Sequence, residues 1–68
     1  MNNDMSGMYS MAEVNRLLYA MLGDMELVKR WWTGSNKAFD NRPPIEIWSE
    51  GKDGNKRVWE YVSFHGYR

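Results

Sequence analysis

The sequence has no cysteine and one histidine, His65. A disulfide framework is therefore excluded, and so is a zinc site of thiolates or of several imidazoles. Neither charge is in excess: nine Lys and Arg face nine Asp and Glu, a formal net charge of zero. Nucleic-acid modules draw most of their affinity from phosphate contacts, so this balance argues against nucleic acid as the main partner. No apolar run approaches the roughly 20 residues of a membrane span. Met1-Asn2-Asn3-Asp4 has neither the basic nor the apolar region of a signal peptide. With no cysteine and no such signal, the cytoplasm is the expected compartment. No repeat or low-complexity tract divides the 68 residues, which is the length of one domain.

A chain this short buries only about 60% of the surface that it exposes when unfolded. What it has in quantity is aromatic side chains: four Trp, four Tyr and two Phe. Each can bury roughly 150–250 Å², so a few replace many aliphatic residues. Self-association into a homodimer is a second route to stability.

Residues 1–9 carry little periodic pattern and read as a leader, leaving 10–68 as a single helical domain. Ser10 with Glu13 three residues later is a capping box. Val14, Leu17, Leu18, Met21 and Leu22 follow at helical spacing, and Gly23 suits the left-handed stop. Asp24 caps a second helix whose apolar stripe is Leu27, Val28, Trp31 and Trp32, with Glu26 one turn before Arg30. Residues 34–43 are turn formers around one apolar anchor, Phe39. Pro44 opens a short third helix, since a proline in the first turn lacks only an N–H that would be unpaired there. Gly51 to Gly54 reads as a turn, with Asp53 or Asn55 capping a last helix that Gly66 stops. The alternative for VWEYVSF is a β-strand, but no second segment of similar quality could pair with it. The expected fold is thus all-α, a compact bundle of about four short helices at roughly 10–22, 24–33, 44–50 and 54–65.

Taken in order, Gly23-Asp24, Trp32 to Asn36, Phe39 to Ile45, Gly54, Val58 and Gly66-Tyr67 resemble the toxin-binding domain of the MbcA/ParS/Xre antitoxin family. The similarity covers about two thirds of the chain. In that family a helix ends in a Trp-bearing turn, a loop with a glycine pair and a proline opens a short helix, and the last helix ends near an aromatic and a glycine. Here Asp40-Asn41 replace the glycine pair; both residue types tolerate left-handed backbone. Pro43 stands where a capping Thr is common. Many relatives carry an N-terminal helix-turn-helix, for which residues 1–10 leave no room, so only toxin binding carries over. The resemblance implies a RES-type, NAD-consuming toxin as partner, neutralised by covering or plugging its active site.

Nothing in the sequence assembles a catalytic group. His65 falls on the inner side of the last helix, where packing or capping explains it, and Ser63 lies on a different face. Asp24, Glu46 and Asp53 are explained by helix starts. Gly51 and Gly54 form no phosphate loop, and no metal or cofactor site is expected. A non-enzymatic protein-binding module follows, with Arg42, Trp31, Trp59, Lys56, Arg57, Tyr67 and Arg68 as candidate contacts. Adjacent Trp31 and Trp32 point about 100° apart on a helix, so one can fill the core while the other reaches an edge. Trp, Tyr and Arg are enriched at interface hot spots. Trp32, Trp48 and Tyr61 are assigned to the core. Lys52, Lys56 and Arg57 open the last helix, where its macrodipole disfavours cations. The alternative is a small phage or mobile-element helical protein that binds a host protein or modulates transcription through nucleic acid.

Overall fold

A computed structural model describes residues 9–66, the last two by backbone alone. Four α-helices follow one another: α1 (Met11–Leu22), α2 (Met25–Thr33), α3 (Pro44–Trp48) and α4 (Lys52–Gly66). The segment VWEYVSF lies within α4, so the strand alternative falls away. No helix among the described residues is long and apolar enough to cross a membrane.

Local chemistry sets the first two helices. The Ser10 hydroxyl accepts the Glu13 N–H at 3.2 Å, and Gly23 ends α1 at φ 75° with its N–H on the Tyr19 carbonyl. Only half of the expected capping box forms, because the Glu13 carboxylate turns to Arg16 at 3.0 Å. The Asp24 carboxylate caps α2 through the Glu26 N–H. Glu26 pairs with Lys29 rather than with Arg30, across i,i+3 instead of i,i+4.

The last two helices correct the expected boundaries. α3 stops at Trp48, and Ser49-Glu50 form a turn. α4 begins two residues earlier than expected and runs through Gly66 rather than stopping before it. The cause is Gly51: at φ 114° it reverses the chain in one step, and its carbonyl accepts the Asn55 N–H at 2.9 Å. Asn55 therefore caps nothing. Its side chain instead donates to the Trp48 carbonyl at 2.8 Å and ties α4 to the end of α3. Gly54 belongs to the helix, not to a turn. A methyl group there would land on the Ile47 carbonyl oxygen, so glycine is what lets α4 lie against α3.

The core is Val14 and Leu18 of α1, Val28 and Trp32 of α2, Phe39, Ile47 of α3, and Val58 and Val62 of α4. α1 and α3 both pack against α4, and α2 packs against α1 and α3. Two residues of the expected apolar stripes stay outside. Met21 is 46% exposed in the last turn of α1, and Leu27, about 100° around α2 from Val28, is 41% exposed. Tyr9, expected in the leader, is half-buried and packs edge-to-face on Trp59 with ring centroids 5.4 Å apart.

Candidate protein-binding surface

The loop between α2 and α3 is built from its own hydrogen bonds. Lys37–Phe39 form one 3-10 turn, capped by the Asn36 side chain on the Ala38 N–H at 2.9 Å. Asn36 also bridges to Arg42. Asp40 and Asn41 both adopt left-handed backbone, at φ 60° and 65°. Asp and Asn enter that region at less cost than most side chains. Phe39 drops into the core as the expected anchor. Pro43 precedes α3 without any side-chain cap.

Arg42 leaves this loop and is held by two carboxylates. Its Nη2 lies 2.8 Å from Glu50, and its Nε lies 3.3 Å from Glu46. Hydrogen bonds to Glu50, then to Glu46, hold its pKa above the ordinary arginine value. The group is exposed and the pairs are screened, so the fork orients the loop more than it stabilises the fold. As a plug for an anionic pocket, Arg42 is already neutralised.

The aromatic residues form a continuous ladder. The Trp48 ring meets Trp32 at 5.7 Å, Trp32 meets Trp31 at 5.3 Å, and Trp31 stacks on Tyr61 at 6.5 Å. Tyr61 then meets Phe39 at 5.3 Å, and the Arg57 guanidinium lies 5.3 Å over the Phe39 ring. Of the adjacent pair Trp31-Trp32, Trp32 is buried and donates Nε1–H to the Asn15 side chain at 2.6 Å, while Trp31 is half-buried at the edge. Trp48 and Tyr61, assigned to the core, are half-buried against it.

α4 therefore carries two separate stripes. Arg57, Tyr61 and Phe64 lie at i, i+4, i+7 and face the ladder, with Phe64 70% exposed. Lys52, Lys56 and Trp59 lie at i, i+4, i+7 on the other side of the buried Val58–Val62 ridge, where Tyr9 covers Trp59. Among the described residues the buried Trp59 indole N–H meets no acceptor. Thus the candidates Trp31 and Arg57 share one flank, Lys56 and Trp59 share the other, and Arg42 sits apart by α3. Tyr67, Arg68 and the side chain of His65 lie outside the described residues.

Charge pairing separates the cations. Arg16, Lys29 and Arg42 form ion pairs, whereas Arg30, Lys37, Lys52, Lys56 and Arg57 form none among the described residues. Lys52, grouped in the sequence with Lys56 and Arg57 at the opening of the last helix but not taken as a contact, is the first residue of α4 and stands one turn before Lys56. Leu27 was missed because it was counted with the apolar stripe of α2, and Phe64 because it was read only as flanking the inner side of the last helix. Among the described residues, no group of three His, Asp or Glu side chains could hold a metal. Comparison with protein-family profiles, with curated proteins and with solved structures gives no match.

Proposed function

We propose that this chain is a non-enzymatic protein-binding module of the antitoxin kind, which engages its partner through Lys52, Lys56 and Trp59 of α4. The partner proposed is a RES-type, NAD-consuming toxin. The observation that carries this is the pair of lysines: both are exposed, neither has a counterion among the described residues, and both stand in the first two turns of α4. That placement opposes the macrodipole, and like charges at i, i+4 repel. Local stability therefore does not account for them, while a surface built to meet anionic groups does. An active site shaped for an anionic dinucleotide supplies such groups. The resemblance adds support through the loop, where Asp40 and Asn41 reproduce the backbone of a glycine pair. Arg42 moves from contact to scaffold in this proposal, since Glu46 and Glu50 occupy it.

The test is inhibition of a RES-type toxin by the purified chain, read as residual NAD consumption. Saturating chain should suppress turnover, and Lys52→Glu with Lys56→Glu should weaken suppression by about 100-fold, each charge reversal contributing about 10-fold. Unimpaired NAD consumption at saturating chain would overturn the proposal.

A further inference from the structure

We infer that Tyr9 is a removable cover on Trp59, and that a carboxylate of the partner displaces it and accepts the Trp59 indole N–H. This rests on Lys52 and Lys56 being a contact surface, as proposed above, and names the chemistry that the surface meets. Lys52, Lys56 and Trp59 stand at i, i+4 and i+7 of α4, so each follows the last by about one turn on the same side of the helix. Both lysines are exposed, and among the described residues neither has an ion pair. The third member differs. Trp59 is half-buried, and its Nε1–H is shut off from solvent without an acceptor among the described residues.

A donor in that position is a standing cost to the free chain, because water satisfies it once the chain unfolds. The buried ring of Trp32 is not left so, since its Nε1–H donates to Asn15 at 2.6 Å. What packs on Trp59 is Tyr9, edge-to-face with ring centroids 5.4 Å apart. Tyr9 is half-buried and directly precedes Ser10, which the Glu13 N–H holds in place as the cap of α1. Among the described residues, Tyr9 shares in none of the backbone hydrogen bonds of the turns and caps. Its ring can therefore leave Trp59 by rotation about its own bonds while α1 stays capped.

The two contacts are unequal in strength. Breaking one edge-to-face ring pair costs about 2- to 10-fold in an equilibrium constant. A hydrogen bond to a charged oxygen returns about 10- to 100-fold. A neutral oxygen gives roughly half that bond strength, so water leaves Tyr9 in place. The acceptor must then be anionic, and Lys52 and Lys56 already favour negative charge one and two turns before Trp59. In a protein partner such an oxygen belongs to an Asp or Glu carboxylate.

The test is nuclear magnetic resonance of the full chain, isotopically labelled at nitrogen, with a tetraglutamate peptide as the probe at low salt. The indole signal lost in Trp59→Phe assigns the Trp59 Nε1–H. Tyr9→Ala should speed exchange of that hydrogen with water by about 10-fold, with helical circular dichroism unchanged. The peptide should shift the Trp59 signal of the parent, and half-saturation should need about 5-fold less peptide in Tyr9→Ala. Trp59→Phe keeps a ring for Tyr9 and should need about 10-fold more peptide, read at the backbone amides of Lys52 and Lys56. Lys52→Glu with Lys56→Glu should abolish the response. Lysine-dependent binding that is equal in the parent, Tyr9→Ala and Trp59→Phe overturns the cover and leaves the lysine surface standing. A peptide that moves the Trp59 signal in neither the parent nor Tyr9→Ala overturns the inference too, whatever the toxin assay gives. The expected peptide effects together with unimpaired NAD consumption would remove the toxin and keep the cover.

Discussion

On one flank of α4, Arg57, Tyr61 and Phe64 continue through Phe39 and Trp31 into a ladder that ends in the core at Trp32. On the other, Lys52 and Lys56 stand in solvent beside Trp59, which Tyr9 covers. The same helix separates them by little more than the width of Val58 and Val62. On the ladder side every ring has a neighbour and the cation lies over a ring, so packing explains most of what is found. Each ring pair there contributes about 0.5–1.5 kcal/mol beyond area burial, and the cation about 0.5–1 kcal/mol. On the lysine side, two like charges face an unfavourable dipole. The contrast teaches where to look for function. A flank that costs stability calls for a reason beyond the fold.

The substitution with the largest expected effect breaks both flanks at once. Gly54→Ala puts a methyl group on the Ile47 carbonyl oxygen, which is backbone and cannot rotate away. α4 must then lift from α3, and the hydrogen bond from Asn55 to Trp48 is strained with it. Overpacking of this kind costs on the order of 3 kcal/mol, a large share of what so small a domain has. A urea titration followed by tryptophan fluorescence would measure it. A midpoint unchanged from the parent would show that the α3–α4 contact is looser than described.

The next effect is confined to the ladder. Asn15→Ala removes the acceptor of the Trp32 indole N–H, a 2.6 Å bond across α1 and α2. Leaving that donor unpaired costs about 1–3 kcal/mol. Because Trp32 touches both Trp31 and Trp48, its displacement should change near-ultraviolet circular dichroism while the helical signal persists. If the proposed toxin is the partner, its inhibition through Lys52 and Lys56 should survive in the fraction that remains folded. Loss of inhibition without loss of fold would join the two flanks into one site.

Much of this was legible in the residues, and what was not has identifiable causes. Ser10, Gly23, Asp24 and Pro44 act through their own side chains or rings within a few residues, so the first three helix starts and the first stop could be read directly. Left-handed Asp40 and Asn41 were legible because few residue types tolerate that backbone. The start of α4 was not, because Gly51 and Gly54 are the same residue doing different things. One supplies a positive φ, and the other makes room for a neighbouring carbonyl that only tertiary structure brings close. The exposure of Leu27 was equally hidden. Periodicity marks a stripe as apolar but not how many neighbours arrive to cover it.

The smallest expected effect is also the sharpest test of the contrast between flanks, because its sign differs from the usual cost of mutation. Lys52 is the first residue of α4, where the exposed N–H groups of the helix favour a negative charge. Lys52→Glu exchanges an unfavourable dipole interaction for a favourable one, gaining about 0.3–1 kcal/mol. It also turns a repelling i, i+4 lysine pair into an attracting Glu–Lys pair in the better orientation, for about 0.2–0.5 kcal/mol more. Thermal unfolding at low salt should therefore rise by a few degrees, and the gain should shrink as salt screens it. Under the proposed function, inhibition of the toxin should fall in the same variant. A more stable protein that binds less well is what a lysine kept for a partner would give. A less stable one would mean that Lys52 already serves the fold, and the lysine flank would then need no partner to explain it.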